Sequence, residues 1–216
     1  MNNLALKNMF YSKVIFSMYD KLVLKYAMPI IWKCKIADIE NFYNNHITTN
    51  HLDIAAGTGF FLNNCKSLPD NTRLTVMDIN PVCLEILEKQ LQRFNTKVYK
   101  QDIMKPVEGS EKYSSIGLSL LLHCLPGDMK SKEIVFQNLK KVLKSDGTIF
   151  GTTFVYKNQK VNLLTRFWAF QYNFMGLLNN HSDTLVDLKS ILDKNFQEYN
   201  IEIIGHCVFF TAKKYK

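Results

Sequence analysis

The chain has 216 residues, of which 47% are hydrophobic and 21% are charged, and its formal net charge is +8. This length suits one α/β domain, whose core needs no disulfide or metal to hold it together. The composition is too apolar for a disordered chain. The longest near-apolar stretch, 116–122, is far short of the roughly 20 residues that span a bilayer.

The lysines are scattered along the sequence, which favours an ordinary basic surface over a nucleic-acid site. The amino terminus lacks the charged, apolar and small residues of a secretory signal. Five cysteines lie far apart without a CxxC pair, which favours free thiols over a disulfide framework or a zinc site. Together these features predict a cytoplasmic protein without a metal. The cysteines are Cys34, Cys65, Cys83, Cys124 and Cys207.

Residues 1–45 predict a helical cap. Between residues 11 and 32 apolar side chains recur at three- and four-residue spacing, as on one face of a helix. Pro29 predicts the start of a second helix, because proline is tolerated in a first turn and breaks a helix interior. This second helix is expected to end near residue 44. The apolar stripe comprises Val14, Met18, Leu22 and Tyr26.

In residues 50–156 short apolar runs alternate with helical stretches, which predicts βαβ units and a parallel sheet covered on both faces. The predicted strands are 51–55, 73–78, 97–100, 115–122 and 148–155. The predicted helices between them are 60–66, 81–93 and 130–143.

The pattern changes after residue 155. Residues 157–181 predict a lid-like helical insertion rich in aromatic side chains, with its helix at 157–178. Residues 182–216 predict a helix from the N-cap Ser182 to residue 195, then an antiparallel pair of strands at 199–204 and 207–212. No linker or repeat divides the chain, so a single domain over 1–216 is expected.

The most informative stretch is 51–62, HLDIAAGTGFFL, in which a strand ends in a loop of small residues and a helix begins at once. Small residues let a ligand approach the backbone, and a helix amino terminus presents free N–H groups. The GxGxxG motif of dinucleotide-binding folds has a third glycine, but here Phe60 and Phe61 follow Gly59 and no third glycine appears. The triphosphate-binding GK[ST] sequence is also missing. The stretch therefore predicts a ligand loop of another kind.

Two acidic residues add to this prediction. Asp78 ends the second predicted strand, where a carboxylate can accept both hydroxyls of a ribose; its other interpretation is a helix cap before Pro81. Asp102 follows the third strand and can accept a hydrogen bond from an adenine amino group, or it is simply a loop carboxylate. Ligands of parallel sheets bind at the carboxyl ends of strands, so these residues are expected to converge with the loop.

The sequence resembles the class I S-adenosylmethionine-dependent methyltransferases over nearly its whole length. Residues 53–59 are similar to their first motif, with Ala55 in place of the usual first glycine. Asp78 and Asp102 match the acidic residues after the second and third strands, and 119–126 (SLLLHCLP) resembles the segment after the fourth. Residues 139–154 are similar to the helix and fifth strand. Residues 19–33 resemble the start of the quinone-biosynthesis C-methyltransferases.

The resemblance implies a Rossmann-like α/β fold, with a mostly parallel seven-stranded sheet whose last strand lies antiparallel beside the fifth. It implies S-adenosylmethionine as cofactor and S-adenosylhomocysteine as product. Asp53 is expected near the methionine amino group, Asp78 at the ribose, and Ile79 on the adenine face. The implied cofactor-binding residues are Tyr19, Asp53, Ala55, Gly57, Gly59, Asp78, Ile79, Asp102, Ile103 and Ser119.

For catalysis, His123 is the candidate general base, because an imidazole titrates near neutrality. The alternative is a structural histidine that holds the loop after the fourth strand. Phe167, Phe170 and Phe174 are candidate acceptor contacts, and their alternative is a helix packed on the core. The many aromatic side chains favour a small, flat or lipophilic methyl acceptor, methylated on oxygen before carbon, nitrogen or sulfur.

Three other functions stay open. The first is a membrane-peripheral lipid or quinone methyltransferase with residues 9–35 as its anchor, since this segment is basic and has an apolar stripe. The second is a nucleic-acid or protein methyltransferase recruited by the basic surface. The third is a protein that binds the cofactor without transferring a methyl group. The sequence names neither the acceptor nor the oligomeric state.

Overall fold

A computed structural model describes residues 20–109 and 111–216. Within these residues a single seven-stranded sheet has the order β3-β2-β1-β4-β5-β7-β6. Strands β1 to β5 pair in parallel, and β7 is antiparallel to both β5 and β6, which confirms the predicted Rossmann-like fold. The strands are β1 (Asn50–Ile54), β2 (Arg73–Asp78), β3 (Asn95–Lys100), β4 (Tyr113–Gly117), β5 (Leu143–Phe154), β6 (Phe196–Ile204) and β7 (Cys207–Tyr215).

Helices cover both faces of the sheet. They are α1 (Asp20–Trp32), α2 (Ile36–His46), α3 (Phe60–Asn63), α4 (Pro81–Gln90), α5 (Glu133–Lys140), α6 (Leu163–Phe174) and α7 (Leu185–Asn195). A single 3₁₀ turn, Leu122–Cys124, follows β4. In the part of the chain that the structure describes, no helix has the length and apolar character needed to cross a membrane.

The two faces of the sheet carry separate hydrophobic cores. One lies under α5 and α7 and includes Leu52 and Ile54 of β1. The other lies under α1, α2 and α4 and includes Phe150 of β5. Successive side chains of a strand point to opposite faces, so His51 and Asp53 point into the second layer. The His51 ring accordingly stacks on that of Phe150, with centroids 5.7 Å apart.

The amino-terminal helices differ from the prediction, because Pro29 lies inside α1 and does not begin a second helix. Helix α1 is wound as a π-helix and ends where Trp32 stacks on Phe154, with ring centroids 4.1 Å apart. The Trp32 carbonyl accepts the His206 N–H from the turn between β6 and β7 at 2.8 Å. The start of α2 is set by Asp38, whose carboxylate accepts the Lys35 N–H at 2.8 Å. Tertiary contacts therefore decide where these helices end.

Other boundaries also differ from those expected, including the following three. Strand β4 ends at Gly117 and not at 122, since Leu120 adopts a φ of 57° that turns the chain. Helix α6 begins after Asn162, whose side chain accepts the Thr165 N–H. The N-cap of α7 is Thr184, which accepts the Asp187 N–H at 3.0 Å, and the prediction of Ser182 for this role was wrong.

Candidate functional site

The sheet brings the predicted site residues to one edge. Asp53 pairs in register with Val76 of β2 and with Gly117 of β4, so the carboxyl ends of the three strands lie side by side. Asp78 ends β2, and Ser119 follows β4 by two positions. Asp102 likewise follows the end of β3. This edge is where parallel α/β sheets bind ligands, so the expected convergence holds at the level of the backbone.

Asp53 is buried, with only 1% of its surface exposed. Its Oδ2 accepts the Tyr43 O–H at 2.9 Å and lies 3.2 Å from His51 Nε2. Gly117 makes room for this carboxylate, because a Cβ there would stand 2.8 Å from Oδ2. Asp53 Oδ1 has no hydrogen-bond partner among the described residues. A buried oxygen without a partner is costly in a folded protein, so this one suggests a ligand donor.

Alternate residues of the loop after β1 have a left-handed backbone conformation. Ala55, which replaces a glycine of the family motif, has a φ of 58° and donates its N–H to the Met77 carbonyl at 2.7 Å. A non-glycine residue in this region is strained, and such strain gathers at functional sites. Gly57 has a φ of 61°, and a Cβ added to it would meet nothing within 4 Å. Gly57 therefore presents bare backbone to open space.

Gly59 has a different task from Gly57. Its φ is 78°, and a Cβ there would stand 2.9 Å from Leu87 Cδ2, at the surface of α4. The glycine lets the start of α3 pack closely on α4. Of the two predicted cofactor glycines, Gly57 thus has open space beside it, whereas Gly59 is needed for the packing of α3 on α4.

Asp78 supports the turn into α4. Its Oδ1 accepts the Asn80 N–H at 2.8 Å, and Asn80 in turn caps α4 by accepting the Val82 N–H. Burial raises the pKa of Asp78, which is 7% exposed and also bonds the Cys83 thiol. The neighbouring Ile79 side chain is 60% exposed. The helix-cap interpretation and the ribose interpretation of Asp78 are therefore compatible.

The residues after β3 and β4 complete the edge. Asp102 is half-buried, and its Oδ1 accepts the Met104 N–H at 3.0 Å. The Ile103 side chain is buried in the core, and its carbonyl accepts the Asn138 amide at 2.8 Å. Ser119 is 8% exposed, and its Oγ has no hydrogen-bond partner within 3.5 Å among the described residues. The edge thus carries a second buried polar atom available to a ligand.

His123 lies in the 3₁₀ turn and is 3% exposed. Its Nδ1 accepts the Phe154 N–H at 3.2 Å, and its ring stacks on that of Phe154 with centroids 4.4 Å apart. Burial and the charge of Lys132 lower the pKa of His123 to about 3. The ring is therefore neutral at physiological pH, and Nδ1, which the Phe154 N–H occupies, ties the turn to the end of β5.

The aromatic residues of α6 lie on two faces. Thr165 and Ala169 are buried, and Thr165 Oγ1 donates to the Ile31 carbonyl of α1 at 2.6 Å. Phe167, Phe170 and Phe174 are 55%, 64% and 71% exposed, and their helical spacing places them opposite this buried face. The three rings consequently point away from the side of α6 that packs on the body of the protein.

One predicted site residue, Tyr19, lies outside the described residues. Two residues of the site, Tyr43 and His51, were not predicted from the sequence, and both contact Asp53 Oδ2. The signal for His51 was its position two residues before Asp53 in a strand, which puts both side chains on one face. Tyr43 gave a weaker signal, since helical spacing from Ile39 identifies it only as a core residue.

Comparisons with known proteins agree with this geometry. A family model described as a methyltransferase domain matches residues 52–149. The chain is 32% identical to the physcion biosynthesis cluster O-methyltransferase of Aspergillus chevalieri, over 95% of this chain and 94% of that protein. It is 30% identical to the demethylluteothin O-methyltransferase of Streptomyces thioluteus, over 92% of this chain and 86% of that one.

Among solved structures, the complex of DhpI with S-adenosylhomocysteine matches with a TM-score of 0.68 and 13% identity, over 98% of this chain and 96% of that one. This likeness concerns the fold. The sequence relatives and the motif at the end of β1 go further, and the chain belongs to the class I S-adenosylmethionine-dependent methyltransferases. It is an enzyme that uses S-adenosylmethionine as its methyl donor.

Proposed function

We propose that the enzyme methylates a small aromatic or lipophilic molecule, preferably on oxygen, with the donor lying across the carboxyl ends of β1 to β4. One observation carries the placement of the donor. Asp53 Oδ1 is buried without a partner among the described residues, near the end of the strand that leads into the open backbone at Gly57. A cationic amino group of the donor would satisfy this oxygen.

The other residues of the edge fit the remaining parts of the donor. Asp78 would hold the ribose hydroxyls with its carboxylate, and exposed Ile79 would pack on the adenine face. Asp102 would accept a hydrogen bond from the adenine amino group beside Ile103. The Ser119 hydroxyl faces Tyr43, whose pKa it lowers against the raising effect of burial.

The chemistry asks little of the protein beyond positioning. The bound donor supplies a methyl group on a sulfonium, which is already a strong electrophile. The protein orients an acceptor in line with that methyl group and excludes water, and orientation of this kind can contribute several kcal/mol. An acidic acceptor such as a phenol needs no strong base. We accordingly assign His123 to holding the loop after β4, since its pKa of about 3 makes it a poor general base at neutral pH.

The acceptor is proposed to lie on the inner side of α6. There Tyr172 is half-buried, and burial raises its pKa. Its ring lies 5.5 Å from that of Trp168, which is 36% exposed and stands at the margin of this side. Phe170 and Phe174 point outward, whereas Phe167 contacts Trp168 with ring centroids 5.7 Å apart. The names of both relatives support an O-methyltransferase of natural-product synthesis. The five free thiols support a reducing, cytoplasmic location.

The experiment has a binding arm and a turnover arm. Titration calorimetry with S-adenosylhomocysteine, on wild type and on Asp53→Asn, tests the donor site, and we expect micromolar binding that the variant weakens at least tenfold. Release of S-adenosylhomocysteine in the presence of hydroxylated pyrones, anthraquinones and simple phenols tests transfer. Absence of binding by folded wild type would overturn the site. Binding without turnover of any acceptor class would favour a protein that only binds the cofactor.

A second candidate is a membrane-peripheral enzyme, and the outward face of α6 favours it. Between Asp146 and Asp183 the sequence has no acidic residue, while Lys157, Lys160 and Arg166 are exposed. Exposed aromatic rings beside cations are typical of helices that lie on an anionic membrane. Sedimentation with vesicles of neutral or anionic lipid, for wild type and Phe170→Glu, tests this candidate. Binding that needs both the anionic lipid and Phe170 would support it.

A further inference from the structure

A line of buried polar side chains runs behind the proposed donor site. Ser115 Oγ lies 2.8 Å from His51 Nδ1, His51 Nε2 lies 3.2 Å from Asp53 Oδ2, and the Tyr43 O–H reaches the same oxygen at 2.9 Å. The exposed fraction of these four residues does not exceed 2%. Neither the overall fold nor the proposed transfer chemistry explains why four polar side chains should be buried together here.

The backbone places the line with precision. Ser115 of β4 pairs directly with His51 of β1, and Asp53 stands two residues further along the same face. Tyr43 comes from α2 and is clamped between Phe61, with centroids 5.3 Å apart, and Phe150, at 5.2 Å. These rings surround the polar groups with apolar surface. Hydrogen bonds to a carboxylate are stronger in such surroundings than in water.

The two donors next to Asp53 both point at its carboxylate. The Thr48 N–H donates to Ser115 Oγ at 3.0 Å, and this hydroxyl lies 2.9 Å from Thr48 Oγ1 and 2.8 Å from His51 Nδ1. An ionised carboxylate can only accept, so His51 donates from Nε2 in its contact with Asp53. Tyr43 donates as well, and burial together with Asp53 raises its pKa, so the phenol stays protonated. The protons of Tyr43 and His51 are therefore both directed at the carboxylate.

Both donors converge on Oδ2, and Oδ1 is the oxygen that lacks a partner in the part of the chain that the structure describes. The line thus fixes the rotation of the carboxylate and leaves its other oxygen for a cation. Building on the function proposed above, we propose that Tyr43 and His51 are positioning residues. They hold Asp53 as a pre-oriented anion for the ammonium group of the donor's methionine part, and they do not touch the donor themselves.

A pair of ligands separates this role from support of the fold. S-adenosylhomocysteine carries the amino acid group, whereas 5′-methylthioadenosine keeps the adenosine and the thioether but lacks both the ammonium and the carboxylate. Calorimetry of Tyr43→Phe should show an affinity for S-adenosylhomocysteine that is about tenfold weaker, the loss typical of a hydrogen bond to a charged group. Its affinity for 5′-methylthioadenosine should stay within about twofold of wild type.

Matched variants complete the test. Tyr215→Phe removes another partly buried phenol, which donates to the Phe136 carbonyl at 2.6 Å, and should change neither affinity. His51→Gln keeps an N–H donor and should retain most of the S-adenosylhomocysteine affinity, whereas His51→Leu should lose it selectively. If His51→Leu fails to fold by circular dichroism, Tyr43→Phe, which removes one oxygen atom, still decides the matter.

The outcomes separate cleanly. A Tyr43→Phe variant that loses both ligands equally has lost the shape of the site, and the positioning role would be wrong. A variant that loses neither would show that the phenol has no part in binding. If folded wild type binds 5′-methylthioadenosine but not S-adenosylhomocysteine, the ammonium contact at Asp53 is wrong and the inference falls, although an adenosine site remains. If wild type binds neither ligand, the proposed function itself is overturned.

Discussion

Lys132 Nζ and Asp183 Oδ2 lie 2.6 Å apart, and both side chains are fully buried. Lys132 stands just before α5 and Asp183 just before α7, so the pair joins two segments on the same face of the sheet. The ammonium also donates to the Asn179 carbonyl at 2.9 Å. Burial lowers the pKa of Lys132 and raises that of Asp183, and each group opposes this effect in its partner.

Removal of one member of this pair should destabilise the protein strongly. Lys132→Met leaves a buried carboxylate without its cation, and we expect the free energy of unfolding in urea to fall by about 3–5 kcal/mol. The double variant Lys132→Met with Asp183→Leu should recover a large part of this loss, because no uncompensated charge remains. Additive losses in this cycle would show that the two side chains contribute independently.

The buried His123 should give the protein a particular acid sensitivity. Its pKa is lowered from 6.5 to about 3, so the unfolded chain binds a proton that the folded protein does not bind. The stabilisation from this ring is therefore complete above about pH 6.5 and is lost as the pH falls towards 3, by up to ~1.4 kcal/mol per pH unit.

The test of this acid sensitivity is urea unfolding at several pH values between about 7 and 4. His123→Asn, whose amide oxygen can still accept the Phe154 N–H, should lack this component of the slope. Equal slopes for the wild type and the variant would contradict the burial of a neutral ring.

Binding of the cofactor product should weaken in mild acid. Burial raises the pKa of Asp78, and ribose hydroxyls donate to its ionised form. Protonation therefore competes with binding, and the affinity for S-adenosylhomocysteine should fall as the pH drops through this raised pKa. Asp78→Asn should bind weakly at every pH and show a flatter profile. The measurement is calorimetry from about pH 7 to 5. If the ribose contact is wrong, wild type and Asp78→Asn should show the same dependence of affinity on pH.

The two glycines of the loop after β1 should separate stability from binding. Both residues have a positive φ, so alanine costs about 1 kcal/mol at either position. Gly59→Ala must also displace Leu87, so we expect it to lower the free energy of unfolding more than Gly57→Ala does. Gly57→Ala should fold almost as well but lose more affinity for S-adenosylhomocysteine, because its Cβ would project into the ligand's space. The reverse ranking in urea unfolding and calorimetry would reject this division of roles.

Acceptor recognition should depend on the inner side of α6. With an acceptor found by turnover screening, Trp168→Ala should raise KM several-fold, whereas Phe170→Ser and Phe174→Ser should leave KM and kcat nearly unchanged, since their rings point outward. A rise in KM for the two outward variants alone would restore them as acceptor contacts.

Much of the sheet follows from the sequence because the alternation of apolar runs and helical stretches is a local pattern. The convergence of Asp53, Asp78 and Asp102 also follows, since parallel strands align their carboxyl ends. The line from Tyr43 to Asp53 does not follow, because it depends on how α2 packs across β1. Helical spacing shows that Phe167, Phe170 and Phe174 share a face, but only the packing of Thr165 on α1 shows that this face points outward.

The predicted helix boundaries were wrong where a side-chain hydrogen bond or a tertiary contact overrides the local sequence preference. Pro29 is a sound signal for a helix start, yet the stacking of Trp32 on Phe154 sets the end of α1 further along. Ser182 and Thr184 are both good N-caps by type. Only the hydrogen bonds of Thr184 with Asp187 distinguish them.

The hydrogen bond from the His206 N–H to the Trp32 carbonyl has a consequence for the order of assembly. It joins the end of α1 to the turn between β6 and β7, which lies far along the sequence from α1. Contacts between such distant segments form late, because the loop that they close is long. The end of α1 thus gains this hydrogen bond only after β6 has been synthesised. A chain that stops before β6 would carry the Asp53 loop without this hydrogen bond at the end of α1.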